Sequence, residues 1–167
     1  MRKQTKFIAQ GAIIAALYAA LTYLQGSLAP WSTSWTIQFR VSEALCILAL
    51  FTPAAIPGLA IGCFLYGLNT IGSFPLDAVM GTAASFLAAA GMWFTRKVTV
   101  KGYPLLSLLM PGVVNGLLVG WMLTFYFQEF PFWLNVLYVA IGEIAVLLTL
   151  GTVLFYTIKK RNLERFL

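Results

Sequence analysis

Histidine is absent from this chain of 167 residues, and only 10% of its residues are charged. The first absence removes the commonest metal ligand and general base, and with them any serine–histidine or cysteine–histidine relay. The second removes the polar surface of a soluble domain, which carries roughly 25% charged residues. Cysteine is scarce: Cys46 and Cys63 both lie inside apolar runs, where they read as small core residues with no disulfide framework or zinc site. No GxxxxGK[ST] loop occurs, so the chain does not hydrolyse ATP through a P-loop. Gating-type arginine repeats and internal repeats are missing as well.

What is present is mostly grease. Hydrophobic residues make up 60% of the chain, which predicts an all-α integral membrane protein of one domain over residues 1–167. The start, "MRKQTKFIAQGAIIAALYAAL", has a basic flank, but its apolar part runs on to Leu28. That exceeds the roughly 7–15 residues of a signal-peptide core, so it reads as a retained first span. The stretch from Val41 to about Asn69 is too long for one crossing, which takes about 20 residues. "FTPAAIPGL" breaks it, because Pro53 and Pro57 remove backbone donors and disfavour helix in the residues before them. The result is six approximate spans: 7–28, 39–52, 54–70, 75–95, 104–127 and 132–158.

Charge sets the orientation. Six spans with a cytoplasmic N-terminus put ten of the eleven basic residues inside, leaving only Arg40 outside. Five spans would strand two basic clusters on the outer face, against the positive-inside rule. The expectation is therefore six transmembrane helices with both termini cytoplasmic, in a cell membrane, the bacterial plasma membrane being the expected one. The formal charge of +6 belongs to this topology and does not point to nucleic acid.

Polar groups within the spans are costly, about 2.5–3.5 kcal/mol for a central carboxylate on insertion scales, so each is informative. Glu143 lies about ten residues into the last span, or ~15 Å down at 1.5 Å per residue, with no basic residue at its depth. Asn115 sits at similar depth in span five. Asn69 and Asp77 lie near the outer ends of spans three and four. Arg40 and Glu43 open span two and share a helix face at i,i+3, either as a structural ion pair or as rim groups of a pocket. Trp35, in the loop "QGSLAPWSTSWTIQ", is either an interfacial anchor or a stacking plate for a planar ligand. Together these groups predict an outward-facing small-molecule site with an apolar wall and a few converging polar groups. Ala12, Ala16 and Ala20 recur every four residues along the first helix, beside Gly11, Ala15 and Ala19. Such a stripe serves either internal packing or docking of a partner helix.

The run "QFRVSEAL", followed by "LFTPAAIPGLAIGC", then Asn69 and "LDAVMGTAAS", resembles the QueT family, the substrate-binding S components of energy-coupling factor (ECF) transporters for queuosine precursors. Residues 38–85 carry the specific part, and residues 104–158 match only in apolar character. The resemblance implies an ECF S-component-like bundle that binds its ligand from outside, with no catalytic residues, metal or cofactor. Its partners would be a transmembrane coupling subunit and two cytoplasmic ATPase subunits, with Ala12, Ala16 and Ala20 as the docking motif. The ligand would be a 7-deazaguanine or queuine. Glu143 would accept its N–H edge, Asn115 or Asn69 would meet its ring carbonyl, and Asp77 or Glu43 a cationic side group. Trp35 would stack on it, with Arg40 completing the set. Three other readings stand beside this one: an S component for a different vitamin or nucleobase, a membrane-embedded enzyme, and a ligand-free assembly subunit.

Overall fold

The computed structural model describes residues 3–30, 39–70, 72 and 75–165. Among these, the regular elements are helices, with one isolated bridge between Val100 and Tyr103. Helix α1 spans Lys3–Leu28, α2 Val41–Leu50, α3 Ala55–Thr70, α4 Pro75–Thr95, α5 Leu105–Phe127 and α6 Phe132–Val146. A π-helical turn over Leu147–Gly151 joins α6 to α7, Thr152–Lys160, and a short 3-10 turn, Leu163–Arg165, follows. Trp35 lies outside the described residues.

Neighbouring rods alternate in direction, and residue pairs fix the register. Thr95 meets Ser107 at one end of the α4–α5 pair (3.0 Å) and Leu76 N–H meets the Tyr126 hydroxyl at the other (3.1 Å). Tyr18 bonds Glu43 and Thr22 bonds Ser42, so α1 and α2 also run antiparallel. Four rods are long and apolar enough to cross a membrane: α1, α4, α5 and the continuous rod Phe132–Lys160. Helices α2 and α3 are shorter, with 10 and 16 residues.

Sequence reading splits the second apolar stretch at its prolines, and the chain does turn there. Thr52 closes the turn: its hydroxyl accepts the Ala54 N–H (3.3 Å) and donates to Gln10 on α1 (3.2 Å). What sequence reading does not anticipate is that α2 is a 3-10 helix throughout. Runs of this type seldom exceed 3–4 residues. At ~2.0 Å per residue, ten residues reach ~20 Å instead of the ~15 Å of an α-helix. Residues three apart are stacked in line, so Arg40, Glu43 and Cys46 form one row. The helix is surrounded, with Ser42, Glu43, Ala44, Cys46, Ile47, Leu48 and Ala49 all buried.

Glycines let the rods approach closely. On α5, Gly112, Gly116 and Gly120 repeat every four residues and meet Ile144, Ala140 and Val136 of α6 in reverse order. A Cβ on Gly120 would stand 2.9 Å from the Val136 nitrogen, so this seam is a backbone-to-backbone contact of the small-xxx-small kind. Gly58 and Gly62 of α3 seat against Gly11, Ile14, Ala15 and Tyr18 of α1 in the same way.

The apolar core falls into two clusters. One gathers Ile14, Ile47, Leu59, Met92, Leu108, Leu147 and Phe155 toward the end that holds the basic residues. The other joins Ala84, Val119, Met122, Leu123 and Val139 toward the opposite end. Along α5, Asn115 falls between Leu108 and Val119; along α6, Glu143 falls between Val139 and Leu147. The polar groups thus occupy the level between two dry layers.

Candidate functional site

The site is built from α2 outward. Glu43 is buried, and its two oxygens are both taken by neutral donors: the Tyr18 hydroxyl from α1 and the Cys46 thiol, one 3-10 turn along (3.1 Å). Above it, the Thr22 hydroxyl donates to the Tyr18 carbonyl (2.7 Å) and is hydrogen-bonded to Ser42 (2.8 Å). At the top, Gln25 caps α2 by accepting the Val41 N–H (2.8 Å) and donating to the Phe39 carbonyl. Tyr18, Thr22 and Gln25 therefore form a polar ladder on the inner face of α1 that holds α2 in register.

Across the bundle, Glu143 on α6 and Asn115 on α5 are both buried. The glycine seam brings these two side chains together, since Asn115 precedes Gly116 and Glu143 precedes Ile144. The carboxylate oxygen Oε2 of Glu143 stands out. Among the described residues it is the one fully buried side-chain polar atom without a hydrogen-bond partner. Such an atom carries a desolvation penalty of about 1–3 kcal/mol, more when charged.

Arg40 links the two halves. It lies in the field of Glu43 and Asp77, and Glu143 lies within the field of both Glu43 and Arg40. Asp77, in the first turn of α4, is half-buried. Five predicted residues therefore come from four helices and one helix cap into one electrostatic group: Arg40, Glu43, Asp77, Asn115 and Glu143. Asn69 is exposed near the end of α3. Arg40 and Glu43 share a face, but the oxygens of Glu43 are engaged by Tyr18 and Cys46. The two cysteines are buried free thiols.

A family model, described as QueT transporter, matches residues 8–160. The chain belongs to the QueT transporter family. Membership makes it a membrane transport protein with a small-molecule substrate. No curated protein and no solved structure matches. In this QueT family member the matched span contains the whole polar group, from Tyr18 to Glu143.

Sequence reading passes over Tyr18, Thr22 and Gln25, and takes Cys46 as a small core residue without its bond to Glu43. The signal for the first three was present: they sit at i, i+4 and i+7, a polar stripe on an otherwise apolar helix. The stripe Ala12, Ala16 and Ala20 lies on the opposite face of α1 and is exposed, whereas Ala15 and Ala19 are buried.

Proposed function

We propose that the chain is the substrate-binding S component of an ECF importer. In this reading six spans cross the membrane with both ends cytoplasmic, and a 7-deazaguanine is captured from outside by the group around Glu143. The observation that carries the proposal is the buried Oε2 of Glu143, which lacks a hydrogen-bond partner among the described residues. A guanine-like ring presents two adjacent donors, a ring N–H and an exocyclic amine, which one carboxylate accepts together. Hydrogen bonds to that edge are how extruded bases are read elsewhere. Asn115 and Asn69 are the amides proposed for the ring carbonyl, and Trp35 the stacking partner.

In this reading energy comes from other polypeptides, and the chain itself has no phosphate-binding loop. The proposed contact with the coupling subunit is the exposed stripe Ala12, Ala16 and Ala20 on α1. Internal packing is already served by the neighbouring stripe, where Gly11 and Ala15 meet α3. The free stripe offers a partner helix a close approach.

The test is uptake of labelled deazaguanines by cells expressing the chain with and without an ECF module. Uptake is expected only with the module. Uptake without it removes the ECF reading, and a different vitamin or base found in the purified protein removes the deazaguanine. In the same assay, Ala16→Leu is expected to cut uptake at least tenfold while ligand affinity of the isolated chain stays within twofold. Full uptake by this variant removes the stripe as the docking contact.

A further inference from the structure

We infer that the basic end of the bundle holds an anionic phospholipid: the α4–α5 turn and the end of α7 grip its phosphate headgroup, and the outward face of α5 carries an acyl chain.

The turn holds its cations in place. Val100 and Tyr103 exchange backbone hydrogen bonds (2.9 and 3.0 Å) around Lys101 and Gly102, both at positive φ (53° and 79°). Such a two-residue turn favours asparagine followed by glycine, yet here an exposed lysine stands at the tip. Tyr103 then pins the turn to the last rod. Its hydroxyl is hydrogen-bonded to Thr152, and its ring stacks on Tyr156 (6.3 Å between centroids) and meets Phe155 edge-on (6.1 Å). The Lys159 ammonium lies 4.8 Å over the same Phe155 ring. One aromatic knot thus joins the turn that bears Lys97 and Lys101 to the helix end that bears Lys159 and Lys160. Little negative charge answers them. Asp77 opens α4 and Glu129 follows α5, at the far end of both rods, while Glu43 and Glu143 are buried. Of the five acidic side chains, Glu164 remains for this end. Like charges held close repel one another, and a bound anion relieves that repulsion.

The apolar side chains among the cations decide the kind of anion. Val98 and Val100 alternate with Lys97, Thr99 and Lys101 and are exposed, and Phe94, just before them, is 79% exposed. Water gives such side chains nothing. At a membrane surface they enter the acyl boundary, while the ammonium groups stay among the headgroups. Arg96 marks the same level: its guanidinium lies 3.3 Å over the Trp93 ring and donates to the Trp93 carbonyl, and tryptophan favours the membrane–water interface. From there α5 turns Leu106, Val113 and Leu117 outward as one exposed stripe at i, i+7 and i+11. That is an apolar track of ~16 Å at 1.5 Å per residue. Cations at the mouth of an apolar track match a charged headgroup on its acyl chain, and basic pockets between membrane helices are where acidic headgroups bind.

The experiment is native mass spectrometry of the purified full chain in neutral detergent, titrated with phosphatidylglycerol and with phosphatidylcholine of the same acyl chains. Phosphatidylglycerol is expected to bind at least tenfold more tightly. A lysine beside an anionic surface strengthens binding about fivefold, so Lys101→Gln combined with Lys159→Gln is expected to weaken phosphatidylglycerol binding at least tenfold. Lys3→Gln combined with Lys6→Gln removes the same charge from α1 at the same end and is expected to change binding less than threefold. Equal losses for the two pairs make the attraction diffuse and overturn the inference. Glycerol phosphate that binds as tightly as the lipid overturns it as well, because the acyl chain then contributes nothing. No preference in the wild type also overturns it and leaves the cations to an acidic protein surface. The wild-type comparison decides the matter even where a variant does not fold.

Discussion

Glu143→Gln is expected to weaken ligand binding at least tenfold without lowering the melting temperature of the empty protein. The two halves of that expectation have different causes. A hydrogen bond to a charged acceptor contributes about 1.5–3 kcal/mol, and each 1.4 kcal/mol is about a factor of ten in affinity. Glutamine keeps one acceptor oxygen but puts an amine where Oε2 stood, so one guest N–H meets another donor. Losing a single such bond predicts a ten- to hundredfold weaker complex. The empty protein, by contrast, loses a buried Oε2 that has no hydrogen-bond partner among the described residues, so its removal gives up no such contact and relieves a desolvation penalty. Calorimetry and a thermal melt in detergent read the two quantities separately. Unchanged affinity removes Glu143 from the site; a melting temperature many degrees lower makes the carboxylate a structural group.

The second large effect is on the fold. Gly62→Leu is expected to abolish monodisperse folded protein, because a Cβ at this position stands 2.7 Å from the Ala15 carbonyl oxygen and 2.8 Å from the Tyr18 Cβ. Leaving glycine gains about 1 kcal/mol of helix propensity. Overpacking by a methylene costs about 1–3 kcal/mol when side chains can yield; here the obstacle is α1 backbone, and leucine adds three further carbons. Against a total stability of roughly 5–15 kcal/mol, the clash wins. The displacement also pulls Tyr18 away from Glu43, so residual folded material is expected to bind ligand poorly. Gly72→Ala is the control, since among the described residues nothing lies within 4 Å of a Cβ there. Size-exclusion profiles and melts compare the two. A Gly62→Leu protein that melts like wild type shows that α1 and α3 do not need this close approach.

Much of the helix order was readable before any coordinates, for a physical reason. In an apolar chain the rare polar and helix-breaking residues are the punctuation, and Pro53, Pro57 and the basic clusters stand out. Glu143 and Asn115 were conspicuous on the same ground. The winding of α2 was not readable, because a segment buried almost all round has no amphipathic pattern to distinguish a period of 3.0 from 3.6. The ladder Tyr18, Thr22 and Gln25 escaped because each residue is unremarkable alone on a helix end to end in grease. The seam Gly112, Gly116 and Gly120 was visible as a spacing but had no assigned neighbour until α6 supplied Val136, Ala140 and Ile144. Asn135 belongs with these: it is buried at the start of α6 and donates to Thr124 (2.8 Å) and the Phe130 carbonyl (3.2 Å), locking the α5–α6 hairpin.

The three-per-turn winding of α2 has a further consequence for how this molecule tolerates change in length. Each residue turns the rod by about a third of a revolution. One residue added between Glu43 and Cys46 would swing the thiol out from under the carboxylate and carry every later side chain onto a wrong wall. Three added residues would restore the phase and only lengthen the strut by ~6 Å. Alterations of this segment are thus quantised in triplets.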